Sequence, residues 1–417
     1  MKALFQRPVF LAFYAGIVAF CTYSCMYAFR KGFAVGEYDY LIFGMQAKVV
    51  FVVSQLMGYT LSKFIGIKLI SGLQSANRVP MIIGLNAVAW LALLCFAIAP
   101  PPLKAVCMFA TGLPLGLIWG LVFSFLEGRK TTELMGAFLC VSFIFSSGFV
   151  KTVAQWISRT QTIDESWVPF ATGAVFVLPL IFFTWLLSRI PPPDKEDRAL
   201  RVERLPMTKI QRQNFWKKYA LGLSLLIIVY VMLTILRDFR DNFMADVWRE
   251  NHIDSVPALF TRTEIPASLI ILLLIGFMYR IRNNKTAFSV SLLVVLLGTV
   301  ISGIATILFV KDMLNVVHWM TWTGLGLYMG YIPFNTMVYE RLIAILRQPA
   351  NIGFLMYTSD ALGYLGSMGV LIINEWMPFS VNWTRFLSST ILFASAIGAV
   401  FTLISWIYFN KKHKTYA

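Results

Sequence analysis

The chain is poor in the side chains on which most enzymes and metal proteins depend. Its three histidines, His252, His318 and His413, are too scattered to form a metal site or a triad. Its five cysteines, Cys21, Cys25, Cys95, Cys107 and Cys140, are odd in number, hold no C-x-x-C pair and fall inside apolar runs. That pattern argues against a disulfide framework or a zinc cluster and leaves small-residue packing as their role. There is no H-E-x-x-H, no phosphate-cradling glycine loop, and no convergence of Ser, His and Asp. An enzyme is therefore not expected, and neither is a metal or any other cofactor.

Charge is scarce as well, at 13% of 417 residues. What fills the chain instead is hydrocarbon: 58% of residues are hydrophobic and the mean hydropathy is +0.71, beyond any ordinary soluble domain of this length. Apolar runs about 20 residues long suit helices crossing a core of roughly 30 Å, and nothing alternates as a barrel strand would. The expected fold is an all-α integral membrane protein with twelve transmembrane helices. Six fall near 8–36, 43–70, 79–99, 103–126, 134–157 and 167–189, and six near 219–242, 262–281, 286–310, 314–339, 350–373 and 386–410. The stretch 239–264 carries Asp241, Asp246, Arg249, Glu250 and Asp254 and is expected as a polar loop or short helix outside the membrane.

Residues 190–218 are proline-rich at their start and charged throughout, which makes them a linker between an N-terminal six-helix half, 1–189, and a C-terminal one, 219–417. Most of the 36 lysines and arginines fall on the side of this linker and of both termini. The opposite side holds Lys104, Arg159, Arg249, Arg262, Lys311 and Arg385. Both termini are thus expected to be cytoplasmic, in a multi-pass protein of the cell's inner membrane. The net charge of +16 follows from this bias and from a basic surface facing anionic lipid, so membrane lipid is an expected partner and nucleic acid is not. The first run has no small-residue cleavage site and reads as a retained span. The Asn-Trp-Thr triplet at Asn382 falls in an expected external loop and is a weak match to a glycosylation acceptor.

Two arginines end two otherwise apolar helices at matching places. Arg30 closes the run from Phe10, Arg237 closes the run from Tyr219, and each has a tyrosine two helical turns before it, Tyr23 and Tyr230. A guanidinium near hydrocarbon is costly and normally faces a protein interior or a watery cavity, which suggests an anionic substrate. Lys48, Gln55, Tyr59 and Lys63 add a polar stripe at helical spacing on the second helix. Blander readings stand beside these. Arg237 and Asp241, at i,i+4, suit a structural ion pair; Arg30 and Lys31 suit snorkelling at the interface; Lys63 suits a helix-end anchor; Tyr23 and Tyr27 suit packing.

Four segments carry a resemblance. These are YAFRKGFA (Tyr27 to Ala34), GYTLSKFIG (Gly58 to Gly66), GLPLGLIW (Gly112 to Trp119) and LGYLGS (Leu362 to Ser367). With Arg237, and in this order along nearly the whole chain, they resemble the organophosphate:phosphate antiporters of the major facilitator superfamily. Six helices plus six around a basic linker is that superfamily's plan. The resemblance implies that Arg30 and Arg237 grip a phosphate, that Lys63 is a cavity lysine and that Tyr23 and Tyr27 line the pocket. The chain also departs from the family. The fifth-helix segment CVSFIFSSGFVK has no histidine and ends in Lys151, the loop IKLISGLQSANR lacks the superfamily's acidic residue, and Asp360 is an added carboxylate in the eleventh helix.

The expected function is therefore a secondary active transporter of a small anionic, phosphorylated solute working by alternating access, an antiporter exchanging an organophosphate for phosphate. Its substrate-binding residues would be Arg30, Arg237, Lys63, Tyr23, Tyr27, Lys31 and Tyr230. Asp360, Asp238 and Asp241 are candidates for coupling, since uptake of a proton there would make the chain a proton-coupled carrier of another organic anion. A membrane receptor on the same scaffold is the other alternative. A monomer is expected.

Overall fold

The computed structural model describes residues 8–71, 77–127, 129, 131–161, 163–192, 209–253, 257–346, 352–376 and 382–416. The core of the linker at 193–208, the loop 72–76, and Lys2, Arg7, Lys130, Asp254 and Arg347 lie outside them. The chain is helical: α1 Pro8–Lys31, α2 Ala47–Ser71, α3 Arg78–Ile98, α4 Pro101–Phe123, α5 Thr132–Thr160, α6 Val168–Ser188, α7 Lys209–Glu250, α8 Ala258–Tyr279, α9 Asn284–Val310, α10 Val316–Pro333, α11 Tyr339–Leu346, α12 Ile352–Trp376 and α13 Trp383–Tyr416. Among the described residues, ten helices are long and apolar enough to cross a membrane. The other two spans read from the sequence are also helical. One is α12; the other is α10, which continues without interruption through a π turn, Phe334–Val338, into α11.

In a hydrocarbon setting every backbone polar group must be met from within the chain, and helices do this alone. Their ends need help, and short polar side chains supply it. Asn283 accepts from the amides of Lys285 and Thr286 at the start of α9, and Asn315 accepts from His318 at the start of α10. Glu250 accepts from the amides of Trp383 and Thr384 at 2.7 and 2.8 Å, capping α13 from the end of α7. Buried hydroxyls fold back on the carbonyl one turn earlier, as Thr22 does on Val18 and Thr299 on Leu296.

Three boundaries differ from the sequence reading. A hairpin, Leu41–Ile42 with Met45–Gln46, precedes α2, turning through Phe43 and Gly44, both at positive φ, so α2 starts at Ala47. A helical stretch from Lys209 occupies the end of the expected linker and joins the seventh span across non-helical backbone at Tyr219, the residue where that span was expected to start. The α7 helix also runs on to Glu250 through the stretch expected to be a polar loop or a separate short helix. There Phe243, Met244, Val247 and Trp248 present a fully buried apolar face, and that face keeps the helix intact despite the charges on its other side.

Two compact units emerge: residues 1–201 with 253–265 and 368–381, and residues 202–252 with 266–367 and 382–417. In the first, α1 packs on α5 and α6, and α2 packs on α4. The α2–α4 contact is backbone to backbone. A Cβ on Gly112 would collide with the carbonyl of Gln55, one on Gly58 with that of Phe109, and one on Gly116 would lie 2.7 Å from that of Tyr59. In the second unit α7 packs on α13, and α9 on α10 with Gly298 and Gly326 in mutual contact.

Candidate functional site

The first unit gathers cations on helices almost free of carboxylates, with Glu133 at the start of α5 as the exception. No Asp or Glu occurs between residues 40 and 126 or between 134 and 163, yet Arg30, Lys31, Lys48 and Lys151 are buried and Lys63 is half-buried. Each ionised side chain placed at mid-bilayer costs about 3 kcal/mol, so five of them are not packing residues by default. The carboxylates that this unit contains at its other segments include Glu264 of α8, buried against Gly148 on α5.

Arg30 and Tyr59 form the centre of this half-site. The guanidinium of Arg30 lies over the Tyr59 ring at 4.2 Å and 5.7 Å from the Tyr27 centroid, while Lys63 Nζ stands 5.4 Å from the same Tyr59 ring. Tyr27 in turn meets Tyr23 edge to face at 5.6 Å. Stacking uses the face of a guanidinium and leaves its N–H donors directed from its edge, the geometry that suits a two-pronged grip on phosphate or carboxylate. Gln55 Nε2 donates to the backbone carbonyl of Arg30 at 3.1 Å, tying the end of α1 to α2. The close α2–α4 contact explains how Tyr59 is held, since Gly112 and Gly116 press on the backbone of α2 at Gln55 and Tyr59 themselves.

The second unit places its expected residues in a different arrangement, one with acid and base already joined. Arg237 Nη2 meets Asp238 Oδ1 at 2.7 Å, and the guanidinium lies 4.0 Å from the Tyr331 centroid. Asp238 Oδ2 accepts from Ser367 at 3.2 Å. Tyr230 donates to Asp360 Oδ1, and its hydroxyl oxygen lies 3.2 Å from that of Tyr331, on whose ring it stacks at 5.2 Å. Tyr230, Tyr331, Arg237, Asp238 and Asp360 are thus one connected set. The ion pair seen for Arg237 is with its neighbour Asp238; Asp241, half-buried, lies one turn further along α7. Arg240 is buried and donates from Nε and Nη2 to the carbonyl of Met320, over Gly324, a structural use that the sequence did not distinguish.

Several residues in these sets have no sequence signal of their own. Tyr331 and Phe334, both against Tyr230, lie a hundred residues from it, at the π turn that follows Pro333. Such turns favour functional sites because they shift side chains off the regular helical register. Ser367 belongs to the LGYLGS segment, where Gly363 and Gly366 abut Thr234 and Ile235 of α7 and bring Ser367 within reach of Asp238. Tyr59 was visible as one member of a polar stripe and of the GYTLSKFIG segment, with no role of its own.

A search of curated protein sequences finds no match. Among solved structures, the chain superposes on the nucleoside transporter NupG with a TM-score of 0.57 at 15% identity, covering 96% of this chain and 99% of that one. It superposes on the xylose transporter XylE from E. coli with a TM-score of 0.61 at 13% identity, covering 95% and 99%. A bacterial homolog of the human lysosomal transporter Spinster gives a TM-score of 0.55 at 12% identity, covering 98% of both chains. At these identities the likeness establishes the fold, that of the major facilitator superfamily. A family model described as a family of unknown function (DUF5690) matches residues 32–412. The chain accordingly belongs to that family, as an all-α integral membrane protein with the major facilitator fold.

Proposed function

We propose that this chain is a secondary active transporter that moves a small anionic, phosphorylated solute across the cell's inner membrane by alternating access, as a monomer of two six-helix halves with both termini in the cytoplasm. The observation that carries the reading is the set of four buried cations, Arg30, Lys31, Lys48 and Lys151, with half-buried Lys63, on helix stretches that hold no carboxylate between residues 40 and 126 or between 134 and 163. The fold supports transport, and the neighbours named for a nucleoside and for xylose share that fold. The cations set this chain's substrate charge. Arg30, stacked on Tyr59 and flanked by Lys63, Tyr27 and Tyr23, is the phosphate-binding centre, with Lys31 beside it. Within the second unit, Arg237 and Tyr230 are the substrate-binding residues of this proposal. Anion binding offsets the repulsion among like charges and so favours the change of state that an empty carrier resists.

The test is a thermal-shift screen of the purified protein against phosphate, phosphate esters, carboxylates and neutral nucleosides, because a ligand that binds only the folded state raises its stability. Stabilisation by a phosphate ester and its loss in Arg30→Lys support the reading. Stabilisation by neutral compounds alone overturns it.

One observation favours a proton-coupled version. The Tyr230–Asp360 contact and the Arg237–Asp238 pair put two carboxylates within the same set of residues as the second arginine, as proton coupling would require. In that version Asp360→Asn leaves binding measurable and changes the pH dependence of net uptake more than it changes exchange. Uptake indifferent to an imposed proton gradient, in both the unmodified protein and Asp360→Asn, leaves exchange alone.

A further inference from the structure

Two helices of the second unit are too long for the membrane. Counted only from its break at Tyr219, α7 still runs about 47 Å to Glu250, and the 34 residues of α13 span about 51 Å, against a hydrocarbon core of roughly 30 Å, so both must project beyond it. The first residues of α7 read KIQRQNFWKK, with four cations and no carboxylate, and the backbone leaves helical values just after them, at Tyr219 (φ −123°, ψ 16°). The end of α13 is similarly basic, with Lys411 and Lys412.

The two projecting ends meet. Tyr408 donates to the carbonyl of Lys218 at 3.3 Å, the Tyr219 and Phe409 rings lie 6.4 Å apart, and Gly222 admits both Tyr408 and Phe409 against α7, where a Cβ would stand 2.6 Å from either ring. Phe288 packs edge-on to Phe409 at 5.9 Å and Trp406 donates to Ser289 at 3.1 Å, which brings the start of α9, with Arg282 and Lys285, to the same end. Glu340 is the one carboxylate at this end among the unit's described residues. Charges that merely set topology need only lie near span ends. Here Lys218 Nζ stands 5.6 Å from the Tyr219 ring, Tyr408 holds the Lys218 carbonyl, and the same short helical stretch carries Trp216 and the exposed Ile210 (69% exposed), as in segments that lie in the headgroup layer.

We propose that the junction of the α7 start with the α13 end is a binding site for the headgroup of an anionic phospholipid. Lys217, Lys218, Lys411 and Lys412 receive the phosphate, and Trp216 and Ile210 enter the acyl boundary. This site is independent of the proposed substrate site, because Lys217 and Lys218 stand at least 12 residues, about 18 Å of helix, before Tyr230.

The experiment exposes full-length protein in neutral detergent to micelles containing phosphatidylglycerol or phosphatidylcholine. It reads the lipid retained after purification and the unfolding midpoint. Phosphatidylglycerol is expected to be retained and to raise the midpoint, with the gain lost at high salt. Each lysine near an anionic surface is worth about fivefold in binding, so Lys217→Gln, Lys218→Gln and Lys411→Gln combined should lower retention about a hundredfold, and the three arginine replacements should preserve it. If the triple variant does not fold, Lys217→Gln and Lys411→Gln alone are each expected to lower retention about fivefold. Equal retention of the two lipids, unchanged retention in the glutamine variants, or the same gain from free inorganic phosphate at equal concentration would overturn the proposal.

Discussion

Arg30 and Arg237 occupy matching places in the sequence but different chemical settings. Arg30 is stacked on Tyr59, with Lys63 near the same ring. Arg237 is held by Asp238, which is itself held by Ser367. An anion arriving at Arg237 competes with that carboxylate, whereas the contact of Arg30 with Tyr59 engages the face of its guanidinium. Arg30→Lys is therefore expected to cost anion affinity at least tenfold, since an ammonium cannot reproduce a forked grip. Tyr59→Leu should cost about 1 kcal/mol of the same affinity through loss of the cation–π contact. Asp238→Asn is expected to tighten anion binding severalfold by removing the competing charge. Titration calorimetry with a phosphate ester checks all three, and weaker binding in Asp238→Asn would show that the carboxylate positions Arg237 rather than competing for it.

Helices were legible in the sequence to different depths. The register of Tyr23, Tyr27 and Arg30 could be read because three- and four-residue steps on one helix share a face. Similar spacing put Gln55, Tyr59 and Lys63 on one stripe of α2. The partners of Tyr230 could not be read, because Tyr331 and Asp360 come from other helices and meet it through a π turn and a glycine-lined contact. The full length of α7 was hidden for another reason. Its charges after Arg237 signal exit from hydrocarbon, while the apolar face that keeps it helical is spaced among them. Glycine spacing did carry structural meaning, since the motif at Gly112 and Gly116 is where α4 touches the backbone of α2. Gly112→Leu is expected to destabilise the protein by about 3 kcal/mol or more and to abolish anion binding along with the Tyr59 position. Gly276→Ala, in a helix position with nothing within 4 Å of an added Cβ, should be neutral or stabilising by up to about 1 kcal/mol. Unfolding midpoints in detergent compare the two, and equal effects would contradict the packing account.

At the scale of the whole molecule, composition alone gave the class: a chain this apolar, with runs of this length, folds as a helical membrane protein, and the superpositions on major facilitator structures bear that out. Substrate identity was less legible, since one fold serves nucleoside, sugar and other transporters and function resides in the side chains grafted on it. The central claim is that those side chains make this carrier one for phosphorylated anions. It is tested most directly by reconstituting the protein in liposomes loaded with phosphate and following entry of labelled phosphate and labelled phosphate esters. The account predicts saturable entry that requires phosphate inside and is lost in Arg30→Lys. Liposomes that take up a neutral nucleoside or sugar through the protein, but no phosphorylated anion above the protein-free level, would contradict it.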